Sequence, residues 1–197
     1  MQFSVEGVVM DKSVIIILVV AVVAVLAIVA AVWAYMQKKR TERLRSKFGP
    51  EYERVVETDG DRRRGESVLE ERQKRIEKLD ISPLSVQDRR RFQEAWIRDQ
   101  ALFVDDPKGA VGEADRLIGE VMKTRGYPVG DFEQRAADIS VDHPMVVENY
   151  RIAHDIAVRD RRGEVGTEDL RKAMVHYRAL YDELLETRAA AAKEGRR

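Results

Sequence analysis

Residues 14–35, VIIILVVAVVAVLAIVAAVWAY, form an apolar segment without a charged side chain. A helix of this length extends about 33 Å, which is enough to cross the hydrocarbon core of a bilayer. Trp33 and Tyr35 lie at one end of the segment, where aromatic rings favour the headgroup layer. The segment therefore predicts a transmembrane helix, and residues 1–13 before it are expected to form a short extracytoplasmic N-terminus.

A cleaved signal peptide is the alternative interpretation of the same segment. Signal peptides have a basic region before a shorter apolar core, whereas here Lys12 is accompanied by Glu6 and Asp11. The pattern favours a retained span. Met10 is an alternative start, and that start would leave almost nothing outside the membrane.

A basic collar directly follows the apolar segment, in MQKKRTERLRSK, residues 36–47. Lysine and arginine beside a span stay on the cytoplasmic side, so we expect the N-terminus outside and the C-terminal domain in the cytoplasm. The same side chains attract anionic lipid headgroups. The predicted membrane-surface residues are Lys38, Lys39, Arg40, Arg43, Arg45 and Lys47.

Residues 36–80 are expected to form this collar and a charged helical stalk. In GESVLEERQKRIEKLD, residues 65–80, a thin apolar seam of Leu69, Ile76 and Leu79 runs among charged side chains. A coiled coil needs at least three sustained heptads, and this seam is shorter. The pattern predicts an exposed helix that packs loosely on the domain or on a partner.

Residues 81–187 carry the strongest helical pattern, with apolar residues at helical spacing in four longer segments and one short segment. The expected helix boundaries are Ser85, Asp106, Gly126, Gly163 and Thr167, residue types that cap or stop helices. Pro144 is expected to open the helix after the short segment, with Asp142 or His143 as its cap.

The fold class predicted from these patterns is all-α. It comprises an N-terminal transmembrane helix, a charged juxtamembrane helical stalk and a compact bundle of about four longer helices and one short helix. Residues 188–197 are expected to form a flexible tail. No segment alternates in polarity as a strand does.

Composition and missing motifs narrow the classes of function. The net charge is zero, which argues against bulk binding of nucleic acid, and the absence of cysteine excludes a disulfide-linked partner and cysteine-ligated zinc. The chain has no GxSxG, GxxxxGK[ST] or HExxH motif. No cofactor is expected, and a non-enzyme is favoured over an enzyme.

The most distinctive stretch is RGYPVGDFEQRAADISVDHPMVVENYRIAH, residues 125–154, which holds two of the three histidines. It is either a corner between helices or a recognition surface, because loop aromatics often contact partners. The predicted interaction residues are Tyr127, Phe132, His143 and Tyr150. A weaker hypothesis pairs His154 with His176 across the last helical hairpin, as a metal or acid–base site.

The motifs ERLRSKFGPEYERVVETDGDRRRGE, residues 42–66, and residues 125–154 follow an N-terminal span. With these motifs the chain resembles a family of uncharacterised bacterial single-pass membrane proteins that have a helical C-terminal domain. The resemblance covers residues 14–187. It implies a bacterial source and an anchored arrangement, and it brings no activity and no functional residues.

We therefore expect a membrane-anchored interaction or scaffold module that recruits or positions a protein partner at the bacterial cytoplasmic membrane. One alternative is a ligand-binding or enzymatic helical domain that uses Asp142, His143 and His154 and has a pocket between the last helices. The other is a sensor of membrane charge or envelope stress that acts through the basic collar.

Overall fold

The computed structural model describes residues 12–194, and in these residues it has eight α-helices and no β-strand. The predicted all-α class is confirmed. The expectations for residues 1–11 and 195–197 lie outside the described residues. The helices are α1 (Lys12–Phe48), α2 (Pro50–Asp59), α3 (Arg62–Ile76), α4 (Val86–Asp105), α5 (Pro107–Arg125), α6 (Phe132–Asp142), α7 (Val147–Arg161) and α8 (Thr167–Glu194).

The chain divides into two compact units, one ending at Arg43 and the other beginning at Leu44. In the first unit, α1 is long and apolar enough to cross a membrane. Its apolar side chains from Ile16 to Met36 are exposed, whereas the core helix of a soluble protein would bury them. The prediction of an apolar helix long enough to span a bilayer is confirmed.

The second unit includes the residues expected to form a stalk, which is a difference from the sequence-based expectation. Leu44 and Phe48 are fully buried, and so is Leu69 of α3. Helix α2 packs against α3, and α3 packs against α6. The compact unit therefore begins near residue 44 instead of residue 81, and α3 is one of its packed helices.

Buried ion pairs explain how such a charged segment packs inside the unit. Arg72 of α3 and Arg151 of α7 both donate to the buried carboxylate of Glu51 on α2, with N–O distances of 2.7–2.9 Å. Arg75 of α3 donates to the fully buried Asp138 of α6. Helix α3 was expected to be solvated because it has many charged residues, but its arginines Arg72 and Arg75 are paired with buried carboxylates inside the unit.

Helices α4 to α8 form the expected set of four longer helices and one short helix. The Ser85 hydroxyl accepts from the Asp88 N–H at 3.0 Å, and Asp106 accepts from the Gly109 N–H at 2.9 Å. Gly126 ends α5 with a φ of 101°, and a Cβ atom there would lie 2.4 Å from the Asp80 carbonyl oxygen. The predicted boundaries at these positions are confirmed, and only glycine fits position 126.

The junction between α6 and α7 differs from the prediction. Helix α6 continues to Asp142, where the His143 N–H still donates to the Ile139 carbonyl at 2.8 Å. Pro144 lies in a turn and α7 begins at Val147, so the prediction that Pro144 opens the helix, capped by Asp142 or His143, is wrong. Helix α8 extends to Glu194, so residues 188–194, expected to be tail, are helical.

Candidate functional site

The predicted interaction corner is mostly buried. Tyr127, His143 and Tyr150 are at most 3% exposed, and Phe132 is half-buried. The Tyr127 hydroxyl donates to the Asp142 carboxylate at 2.8 Å. In this conformation the corner does not present its aromatic side chains to a partner, because they pack inside the second unit.

His143 belongs to a cluster of hydrogen bonds that connects the C-terminus of α5 with α8. Arg125 donates to the His143 Nε2 at 3.4 Å and to the Leu184 carbonyl at 3.0 Å. Since a guanidinium only donates, Nε2 accepts and the Nδ1–H donates to Glu183 at 3.1 Å. Burial, together with the Arg125 charge, lowers the pKa of His143 and favours this neutral tautomer.

His154 has a separate environment on α7. Its ring stacks on Phe132 with centroids 3.6 Å apart and planes 4° apart, and burial lowers its pKa. The Asp142 and His143 side chains are engaged elsewhere, by Tyr127 and by Arg125 with Glu183. The geometry therefore does not combine Asp142, His143 and His154 as one set of reactive groups.

The weaker pair of His154 and His176 also has separate partners. His176 Nδ1 lies 2.8 Å from the Asn149 side-chain oxygen, whereas His154 contacts Phe132. Among the described residues there is no group of three or more His, Asp or Glu side chains that could hold a metal ion.

The basic collar lies on the last part of α1 and is largely solvent-exposed. Lys38, Lys39, Arg43 and Arg45 are exposed, and Arg40 and Lys47 are half-buried. Within the second unit, Arg45 pairs with Glu53 at 2.8 Å and lies over the Tyr52 ring. Arg45 therefore has a structural partner in addition to any lipid that it contacts.

An apolar groove between α4 and α8 was not foreseen from the sequence. Both helices pack against α5, and the groove runs between them as two depressions of about 200 and about 330 Å³ that share Trp96, Gln100 and Arg178. The Trp96 ring stacks on Tyr181 of α8 at 4.6 Å between centroids. This groove, here called the α4–α8 groove, is the candidate site.

The two sides of the α4–α8 groove combine apolar and polar groups. Ile97 on α4 and Val175 on α8 are large apolar side chains that are more than half exposed. Gln93 and Gln100 add side-chain amides, and Arg178 pairs with Asp182 on its own helix at 3.1 Å. An aromatic floor with exposed aliphatic sides is the composition that favours an apolar helix as ligand.

Helix α4 also carries a buried acidic residue, Asp99, near Glu113 and Arg116 of α5. Asp99 is 6% exposed, and neither of its carboxylate oxygens accepts a hydrogen bond from the described residues. Burial, reinforced by the nearby Glu113 charge, raises the pKa of Asp99 to about 7. The packing of α4 therefore includes a carboxyl group that favours its protonated form.

The sequence contains an indication of the groove that is missed when only one apolar stripe is assigned to each helix. On α4 the buried face holds Phe92 and Trp96, as the helical spacing predicts. Ile97 and Val104 lie off that face and are exposed apolar residues on a charged helix.

No protein-family model, curated protein or solved structure matches this chain.

Proposed function

We propose that the protein is a membrane-anchored helical interaction module, whose second unit recruits or positions a helical protein partner through the α4–α8 groove. The observation that carries the proposal is this groove, an open apolar surface with a stacked aromatic pair at its base. Trp96 and Tyr181 are themselves 4% and 2% exposed, so the aliphatic side chains of Ile97 and Val175 supply most of the surface that a partner would contact.

The anchor determines where such a partner is held. An exposed apolar helix as long as α1 is stable in a bilayer, since its side chains then avoid water. The basic collar after the span supports a cytoplasmic location for the second unit. The bacterial source rests on the resemblance of residues 42–66 and 125–154, and it stays a prediction.

The shape of the groove favours a helix as the docking element. Its lining residues on α4 and α8 recur at intervals of three and four, so both sides offer the ridges between which a third helix packs. An amphipathic helix that places apolar side chains over Trp96 fits this surface, with its polar side towards Arg178 and the glutamine amides.

Substitution on the groove tests the proposal directly. We expect Ile97→Glu in the full-length protein to reduce co-purification of its membrane partner at least tenfold, because a new carboxylate would be buried in the interface while Arg178 beside it is already paired with Asp182. The matched control is Val129→Glu, which changes a β-branched residue of similar exposure, 73% against 65% for Ile97, in the loop between α5 and α6. Equal partner retention by both variants would contradict the proposed site.

Contact with anionic lipid is a second proposed activity, supported by the exposure of Lys38, Lys39 and Arg43 beside the apolar helix. Each basic residue near an anionic surface contributes about 1 kcal/mol of attraction. We expect a full-length variant with these residues changed to glutamine to lose its preference for phosphatidylserine-containing over neutral liposomes. An unchanged preference would argue against lipid sensing by the collar.

A further inference from the structure

Helix α4 carries a solvent-exposed stripe of its own. Val86, Ile97 and Val104 are 75%, 65% and 82% exposed, although all are large apolar residues. At 100° per residue they lie within about 20° of one another around the helix, and Gln93 and Gln100, between them along the chain, lie about 20° and 40° to one side of Val86. The α4 stripe, defined by these five residues, therefore runs about 27 Å along the helix.

The spacing of the α4 stripe is that of a helix-pairing seam. Its successive members are separated by seven, four, three and four residues, which is the alternation of a heptad pattern. Amides at two seam positions weaken such pairing and restrict its register. The three middle members of the stripe, Gln93, Ile97 and Gln100, line the α4 side of the α4–α8 groove, and the stripe continues beyond the groove to Val86 and Val104.

Charge is distributed unequally along α4. The first turns carry Arg89, Arg90 and Arg91 against Asp88, a net charge of +2, with Arg90 paired to Glu94 and Arg91 to Asp88 on the same helix. The end carries Asp105 and is followed by Asp106. Parallel pairing of two copies of α4 would place like charges together at both ends. Antiparallel pairing places the arginines of one copy near the aspartates of the other, and it also opposes the helix dipoles.

We propose that the occupant of the α4–α8 groove is α4 of a second copy of this chain, paired antiparallel along the α4 stripe. This inference rests on the proposed interaction function and names its partner. With Val86 against Val104 of the second copy, the two-fold axis passes near residue 95. Glu94 of one copy then lies within one turn of Arg98 of the other, and the reverse pair is formed by symmetry.

Anchoring favours this pairing even when the stripe alone is a weak interface. Two copies held in one membrane by α1 have a higher effective concentration than two copies free in solution. Three aliphatic residues and two amides per copy make a small seam, and confinement compensates for its size. The self-association is therefore a property of the full-length protein in membranes.

The chain has no cysteine, so single cysteines report this geometry without background. In the antiparallel register, the two copies of residue 97 are about 6 Å apart along the helices, and the two copies of residue 86 or 104 are about 27 Å apart. With a short bismaleimide in native membranes, we expect Ile97→Cys to give a covalent dimer, and Val86→Cys and Val104→Cys to give at least tenfold less.

Mixed samples and a control complete the experiment. Co-expression of Val86→Cys with Val104→Cys is expected to restore the dimer, because these positions face each other across the two copies. Val129→Cys is an equally exposed control outside α4 and is expected to give no dimer. Dimers from all single variants would indicate parallel pairing or random collision and would overturn the inference.

Charge exchange tests the register independently. Glu94→Arg and Arg98→Glu are each expected to reduce the Ile97→Cys dimer several-fold, and the double exchange is expected to restore it. If Ile97→Cys instead crosslinks only to a protein of different mass, self-pairing is overturned while the proposed function stands. If it reacts with a maleimide but crosslinks to nothing, both proposals fail.

Discussion

Replacing Asp99 by asparagine is expected to stabilise the second unit, and to do so more at high pH. The carboxyl group is 6% exposed, accepts no hydrogen bond from the described residues, and has a pKa raised to about 7 from 3.8. Asparagine has nearly the same shape and no charge. The substitution therefore removes the cost of ionising a buried carboxyl group.

The sign and size of the effect follow from proton linkage. A carboxyl group whose folded-state pKa is raised contributes stability that is complete below its unfolded pKa and is lost as the pH rises through the folded value. Each pKa unit corresponds to about 1.4 kcal/mol, so full ionisation costs at most about 4 kcal/mol. Between about pH 5 and pH 8 we expect the advantage of asparagine to grow by about 2–3 kcal/mol.

The charged groups that face Asp99 come from α5. Glu113 raises its pKa and Arg116 lowers it, but Arg116 is held by Glu113 at 2.6 Å and by Glu120. Arg116 is therefore engaged with two other carboxylates on its own helix. This arrangement explains why the nearby arginine does not neutralise the buried carboxylate.

The assay is urea unfolding of the full-length protein in detergent micelles, followed by far-UV circular dichroism at the two pH values. Asp105→Asn on the same helix is the control, since Asp105 is exposed and its change is expected to alter the free energy of unfolding by less than about 0.5 kcal/mol. A pH-independent effect of Asp99→Asn, or a loss of stability at both pH values, would refute the reasoning.

Two substitutions and one NMR measurement test the packing of the second unit further. Glu51→Ala removes the buried carboxylate that Arg72 and Arg151 share and is expected to cost about 3–5 kcal/mol in urea unfolding, whereas the exposed Glu57→Ala changes little. Gly126→Ala is expected to lower the melting temperature by several degrees, since a Cβ atom would lie 2.4 Å from the Asp80 carbonyl oxygen. An unchanged melting temperature would contradict this close approach of residue 126 to Asp80. By ¹⁵N NMR, the His143 ring is expected to remain the neutral Nδ1–H tautomer at pH values below about 6.5, the usual pKa of histidine. Protonation of His143 near pH 6.5 would show that its hydrogen bond with Arg125 is absent.

Local patterns predicted much of the bundle correctly because they depend on neighbouring residues. The stripe along α5 is buried throughout, including Leu117, Ile118 and Val121. The caps at Ser85 and Asp106 form the expected hydrogen bonds. Helical periodicity and capping act within one or two turns, so sequence alone is sufficient for them.

Ion pairs between residues far apart in the sequence explain why the burial of α3 was not predicted. Arg151 reaches Glu51 across 100 residues, and Arg75 reaches Asp138 across 63 residues. No periodicity within α3 indicates that its arginines face buried carboxylates, so that helix was predicted to be exposed. In the predicted aromatic corner, residue type alone did not indicate that Tyr127 and Tyr150 pack inside the unit, because their burial depends on contacts between helices.

The candidate groove depends on both kinds of information. Ile97 is visible in the sequence as an apolar residue outside the buried face of α4. Its relation to Val175 and Tyr181 of α8 depends on the packing of both helices against α5. Only the folded unit brings these residues to one surface.

Photo-crosslinking from residue 97 of the tagged full-length protein in native membranes tests the central claim most directly. A photoreactive amino acid replaces Ile97 in one sample and the loop residue Val129 in a second, and adducts are identified by mass spectrometry. We expect a discrete protein adduct from position 97 and none from position 129. No adduct from position 97, or an adduct only from position 129 in the corner at residues 127–154, would contradict the account.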